Sequence, residues 1–146
     1  SLLRLPTPSM PRIPFSSSLV GVNVVTAYLP GHSRPDDSQY TFAYTVTISN
    51  GSNLPVQLLS RHWIITDADN EVQEVRGEGV VGEQPVIPPQ ASFRYTSGAT
   101  LATPVGCMQG SYFMVVREPM DKDPHDLPAF EVPIRAFSLH TPTALN

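Results

Sequence analysis

From Tyr40 to Asn50 the sequence reads YTFAYTVTISN, so that Tyr40, Phe42, Tyr44, Val46 and Ile48 alternate with Thr41, Ala43, Thr45, Thr47 and Ser49. A period of two, carried by aromatic and β-branched side chains, predicts a strand with one buried face. No segment shows a 3.6-residue period free of proline and glycine. The 146 residues include 16 prolines and 9 glycines, too many breakers for a helical bundle and too aperiodic for collagen. A chain of this length fits one domain with a real core.

The same reading extends outward from that strand. Val20, Val22, Val24 and Tyr28 predict a strand before it, ended by Pro30-Gly31, and Asn50-Gly51-Ser52-Asn53 with Pro55 closes it. Residues 56–66 predict the next strand, with Leu59, Trp63 and Ile65 on one side and Leu58 and Ile64 on the other. Apolar residues on both faces place it near the centre of a sheet. Asp67-Ala68-Asp69-Asn70 turns it back into residues 71–76 as a hairpin. Further strands are expected at 91–96 and 110–117. The last strand starts with Phe130, Val132 and Ile134 in phase, whereas Phe137 and Leu139 fall out of phase. A one-residue slip beside Pro133 is what a β-bulge produces, and a proline there protects a sheet edge. About seven or more short antiparallel strands with frequent turns indicate an all-β chain forming a single β-sandwich.

The formal charge is −4, and no basic stripe of the kind that neutralises phosphates is present. The nearest approach is Arg4, Arg12 and Arg34, in a stretch with no acidic residue before Asp36. Pro6, Pro8, Pro11 and Pro14 favour an extended chain, so residues 1–18 read as a Pro-rich arm or linker for docking a partner, ahead of a domain at 19–146. A processed organellar precursor is the second reading of that arm, and nucleic acid is expected as a partner only through it. No run approaches ~18 apolar residues and no signal-peptide core is present, so the expected location is cytoplasmic, with an organelle as the alternative and secretion excluded. The single cysteine, Cys107, excludes a disulfide framework and a Cys-based zinc site and reads as a loop residue.

Several short motifs invite chemistry. Gly77-Glu78-Gly79-Val80-Val81-Gly82 spells G-x-G-x-x-G, which serves dinucleotides where it joins a strand to a helix. Here Pro85, Pro88 and Pro89 follow at once, and Glu78 and Glu83 repel a phosphate. A loop with positive φ at its glycines explains the spelling, with a backbone anion nest as the smaller possibility. Asp67 to Glu71 opens like a calcium loop, but Val72 stands where its glycine is required. The loop from Asp121 to Asp126 is acidic and reads as solvated. His32, His62, His125 and His140 have no metal-ligand spacing, and Thr96-Ser97-Gly98 lacks the leading glycine of a nucleophile elbow. No catalytic constellation, metal site or cofactor is expected. Trp63 is expected in the core, while Arg61 is expected to pair with a carboxylate or pack its stem, with partner binding as its lesser reading.

From about residue 19 to 146 the sequence resembles the ApaG family. The resemblance rests on residues 40–50, 56–68 (VQLLSRHWIITDA), 74–85 (EVRGEGVVGEQP), 93–98 (FRYTSG), 103–112 (TPVGCMQGSY) and 133–139 (PIRAFSL). It implies a fibronectin-type-III or immunoglobulin-like sandwich. It also implies a stand-alone, non-enzymatic factor in bacteria, linked by name to cobalt resistance and magnesium efflux. In eukaryotes similar domains form the C-terminal module of F-box proteins and of a polymerase-delta-interacting protein, which implies protein–protein binding. The family's glycine motif maps onto Gly77, Gly79 and Gly82, with binding of pyrophosphate compounds as its implied use. Residues 1–18 and the long, Pro-rich loop at 118–128 depart from the bacterial pattern and lean towards a eukaryotic or organellar version, or a module cut from a larger chain.

The resulting expectation is a non-catalytic interaction module that acts as a binding or scaffolding factor for another protein or a multiprotein complex. Its surface is expected at Gly77, Glu78, Gly79, Gly82, Glu83 and Gln84, with secondary contacts from Arg61, Thr103 and Gly106 in a 103–110 loop. The alternative expectation is a pyrophosphate compound or a divalent cation such as Mg or Co held at the glycine loop.

Overall fold

The computed structural model of the chain describes residues 15–144. Its eight strands are β1 (Val20–Tyr28), β2 (Tyr40–Asn50), β3 (Val56–Asp67), β4 (Val72–Glu78), β5 (Val86–Ile87), β6 (Ser92–Leu101), β7 (Val105–Val116) and β8 (Ala129–His140). The alternating segment is β2, the middle of a three-stranded sheet ordered β1-β2-β6. The second sheet runs β4-β3-β7-β8, with β5 pairing on β3 beyond the end of β4. Every pairing is antiparallel. The sandwich is as expected, and β3 does sit inside its sheet.

The two inner faces meet in one core. Phe42, Tyr44, Val46 and Ile48 of β2 are buried, while Thr41 and Thr45 point out and bond Thr100 and Thr96 of β6. Trp63 lies at the centre, edge-on to Tyr44, Tyr112 and Phe137. Full burial of side chains such as Phe42, Leu58 and Met114 stabilises the fold by roughly 1.5–3 kcal/mol each. Tyr95 and Tyr112 point their hydroxyls at each other across the core and bond there.

Two bulges correct the sequence reading. In β3 the register with β7 slips between Leu58 and Ser60, leaving Leu59 as the extra residue. That slip reverses the parity of the strand, so Leu58 shares the buried face with Trp63 and Ile65, and Leu59 does not. In β8 the expected slip is present two to three positions beyond Pro133, between Ile134 and Phe137, and Pro133 lies exposed on an edge strand. The other corrections concern length. β6 and β7 are longer than expected, and β7 starts at Val105, so Gly106 and Cys107 are strand residues rather than loop residues. Thr96, Ser97 and Gly98 also lie in a strand.

Of the arm expected over residues 1–18, residues 1–14 lie outside the described residues, Arg4 and Arg12 among them. Phe15 packs on Phe130 with ring centroids 5.0 Å apart, and the 3-10 turn Ser17–Leu19 is capped by Ser16. The turn after β2 is fixed by Asn50, which is 1% exposed. Its Nδ2 donates to the carbonyls of Leu54, Ile87 and Pro88, and its Oδ1 accepts from the Ser52 N–H and hydroxyl. Arg117 is buried beneath the 118–123 loop and donates to the carbonyls of Met120 and Lys122. Among the described residues no helix is long and apolar enough to cross a membrane.

Candidate functional site

The glycine loop is built on the bulge in β3. β4 and β5 pair with the same side of β3, at Ser60–Thr66 and at Val56–Gln57, so the chain between them must leave the sheet and return opposite Leu59. The Leu59 carbonyl receives both the Gly79 N–H at 2.8 Å and the Gln84 Nε2 at 2.9 Å. Gln57 Nε2 donates to the Gln84 carbonyl, and the Leu58 N–H donates to Pro85. Between these anchors Val80 and Glu83 exchange two backbone hydrogen bonds of 2.8 and 2.9 Å around Val81 and Gly82. Both central residues have positive φ, 45° at Val81 and 79° at Gly82, as a type I′ turn requires.

Each glycine of the motif has its own physical reason. A Cβ on Gly77 would lie 2.7–2.8 Å from the guanidinium of Arg61, which therefore lies flat on that residue. One on Gly79, where φ is 63°, would overlap the Glu83 carbonyl oxygen. At Gly82 there is open space, and the left-handed backbone alone selects glycine.

Val81 is the exception. A β-branched residue at positive φ is strained, yet this one stands 56% exposed at the tip while Val80 is fully buried beneath it. Strain of this kind persists where the surroundings impose it, and it gathers at functional sites.

Arg61 does not pair with a carboxylate. Its Nη1 donates to the carbonyls of Glu78 and Gly79 at 3.0 and 2.8 Å, which clamps the start of the loop. Arg61, Gly77, Glu78, Gly79, Gly82, Glu83 and Gln84 thus form one rigid unit. Thr103 and Gly106 do not belong to it. Gly106 pairs with Asp67 and Glu78 with Ser60, seven positions apart on β3, or roughly 23 Å. At that far end Thr103 Oγ1 accepts from the Ala68 N–H and donates to the Val105 carbonyl, tying two turns together. Gly106 has no Cβ because one would meet Leu101 at 2.6 Å and the Thr66 carbonyl at 2.7 Å.

Several of the loop's N–H groups are engaged in holding the loop itself. The N–H groups of Gly79, Val80 and Glu83 already donate to carbonyls, and the carboxylates of Glu78 and Glu83 flank what remains. No three His, Cys, Asp or Glu side chains gather as a metal site among the described residues. His62 bonds Glu74 at 2.9 Å, with Arg76 3.7 Å from the same carboxylate oxygen. Cys107 pairs with Thr66, four positions along β3 from His62, so the two are roughly 13 Å apart.

Two edge strands also leave a cleft of about 330 Å³ between the sheets, beside the Arg61 end of the loop. Tyr44, Trp63, Ile65, Val75 and Met108 give it an apolar floor. The sequence pattern identified Trp63 and Tyr44 as core, and nothing in it signalled that the sheets part beside them.

Comparison with known proteins agrees with this architecture. Residues 30–116 match the family model of the ApaG domain. The chain is 54% identical over 125 residues to Protein ApaG of Ralstonia nicotianae, covering 86% of this chain and 94% of that protein. It is 53% identical over 125 residues to Protein ApaG of Methylococcus capsulatus, covering 86% and 93%. A crystal structure of the putative ApaA protein from Bordetella pertussis superposes with a TM-score of 0.76 at 48% identity, covering 84% of this chain and 94% of that one.

Proposed function

The chain belongs to the ApaG domain family, and from that premise we propose that it is a non-catalytic protein-interaction module whose contact surface is the turn carrying Val81. The observation that supports this reading is the exposed, strained Val81 at the tip of a loop held by hydrogen bonds to Leu58 and Leu59 and by the clamp of Arg61. A rigid apolar projection loses little conformational entropy when a partner covers it. Val86, 38% exposed, is a second exposed apolar residue and follows the same loop in β5. Catalysis has no comparable support, because His62 and Cys107 stand roughly 13 Å apart along β3 and β7.

The test is co-purification of the tagged chain from native extract, followed by mass spectrometry, with wild type and Val81→Asn side by side. A partner held by the wild type and lost by the variant is the expected result. A chain that runs alone, or a partner held equally by both, overturns the proposal. Calorimetry with pyrophosphate and with Mg²⁺ or Co²⁺ is expected to give no heat at millimolar ligand, and binding at the loop would replace this reading with the ligand alternative.

A further inference from the structure

The cleft beside the loop has the features of a peptide site. Its two walls are β4 and β6, and each of these is hydrogen-bonded to a neighbour on one side only. Unpaired main-chain N–H and C=O groups on such edges are a template for an added strand. The cleft runs from Gln73 and Thr100, past Val75 and Ser97, to Arg61. Along β4 the distance from Gln73 to Gly77, beneath the Arg61 guanidinium, is four residues or roughly 13 Å. That span takes three to four residues of extended chain, and the volume of about 330 Å³ lies within the range of ordinary binding pockets.

The charge pattern selects one end of a peptide. Among the described residues Arg61 is the one charged residue lining the cleft, and no acidic residue lines it. Only Nη1 of Arg61 is engaged, by the carbonyls of Glu78 and Gly79, so its Nε and Nη2 N–H groups have no acceptor among the described residues. Fixing one edge of a guanidinium while leaving the rest of its fork unused prepares it for a carboxylate. Glu74 and Glu78 of β4 alternate with Val75 and Gly77 and do not line the cleft, and Glu74 is occupied on His62 and Arg76. The floor next to Arg61 is Trp63, Tyr44 and Met108, a seat for an apolar side chain.

We propose that this cleft binds the C-terminal residues of a partner polypeptide. The terminal carboxylate sits on Arg61, the last side chain is apolar and packs towards Trp63, and the preceding residues pair as a strand on an edge of the cleft. This goes beyond the interaction reading: it names a partner chemistry and uses a surface separate from the Val81 tip.

Trp63 is the sole tryptophan, so its indole N–H gives a single resonance and its emission a single-site signal. The probe is the peptide acetyl-Ala-Val-Leu with a free C-terminus, titrated into the full chain beside the same peptide as its C-terminal amide. The free acid is expected to shift the Trp63 indole resonance and the backbone amides of Val75 or Ser97, and the amide to bind about tenfold or more weakly. Arg61→Lys is expected to lose most of that preference, because a point charge does not replace the fork. Since Arg61 also clamps the glycine loop, Val75→Phe serves as the second variant, filling the cleft from a site removed from that clamp, and it is expected to abolish binding. Equal binding of acid and amide, or no movement of Trp63 at millimolar peptide, overturns the proposal. Val81→Asn is expected to leave peptide binding unchanged. Peptide binding together with a partner unaffected by Val81→Asn would therefore remove the tip surface and leave the cleft standing.

Discussion

Replacing Val81 by asparagine should make the protein more stable and less able to hold its partner. Val81 has φ 45° and is 56% exposed. A left-handed conformation costs an ordinary L-residue roughly 1–2 kcal/mol, with β-branched residues at the high end, whereas asparagine adopts it readily. Against this stands the apolar contact that Val81 does make. Less than half of its surface is covered, so deletion forfeits at most about 1 kcal/mol of the ~2 kcal/mol available to a fully buried valine. The net expectation is a gain of about 1 kcal/mol. Val81→Gly relieves the same strain but frees the unfolded chain by roughly 0.5–1 kcal/mol, and should lie near wild type. Urea denaturation of the three proteins decides the matter: Val81→Asn should raise the midpoint by about 0.5 M with an unchanged slope, and the melting temperature by about 3 °C. A lower midpoint for Val81→Asn than for wild type refutes the strain assignment. A higher midpoint with partner capture intact refutes the link between that strain and binding.

Three further outcomes test the architecture around the site. Gly79→Ala should cost about 3–4 kcal/mol, because its Cβ overlaps the Glu83 carbonyl and disrupts the Val80–Glu83 pair, while Gly82→Ala, with open space, should cost only about 1–2 kcal/mol; equal urea midpoints for the two would contradict the assignment. Asn50→Ala should lose about 3 kcal/mol through the five hydrogen bonds of its buried side chain, and Asn50→Asp should be worse, since a carboxylate would face three carbonyls; calorimetric melting that ranks them the other way refutes the role of the amide. Burial above all raises the phenols of both Tyr95 and Tyr112 above the ordinary tyrosine value of about 10, while the hydrogen bond between them pulls Tyr95 back down and pushes Tyr112 further up. The folded state then keeps protons that the unfolded state releases, so stability is flat below about pH 10 and falls above it. Denaturation midpoints that do not fall between pH 9 and pH 11.5, or a Tyr95→Phe/Tyr112→Phe pair that falls as steeply as wild type, would contradict this.

How much was legible in the sequence depends on how local the cause is. β2 declares itself because each of its residues faces either core or solvent, and the hairpin at Asp67 because the aspartate bonds its own backbone at Asp69 and Glu71. The faces of β3 were misread because one extra residue, Leu59, reverses parity, and nothing in the letters VQLLSRHW marks the bulge. That bulge exists for a distant partner: the Leu59 carbonyl is turned out to receive Gly79 and Gln84 from the far side of β4. The carboxylate expected for Arg61 failed for the same reason, since the guanidinium is held by carbonyls 17 and 18 residues away. Cys107 and Gly106 read as loop because glycine and a lone cysteine interrupt the alternation, yet the close approach of Thr66 and Leu101 is what demands a glycine inside that strand.

The glycine motif shows why spelling alone cannot assign chemistry. In a strand-to-helix turn, three glycines let a backbone approach a pyrophosphate and a helix pack on its strand. Here the same spacing answers three unrelated demands: a flat arginine, a close carbonyl and a left-handed turn. All three demands are internal, and the N–H groups of Gly79, Val80 and Glu83 are spent on holding the loop. What the motif gives the surface is therefore rigidity rather than a ligand cradle. It fixes an exposed valine at one end, and by clamping one edge of Arg61 it leaves the remaining N–H groups of that fork free beside the open cleft. One loop thereby prepares both proposed contact surfaces, and for that reason substitutions at Gly79 should impair both, whereas Val81 and Val75 should separate them.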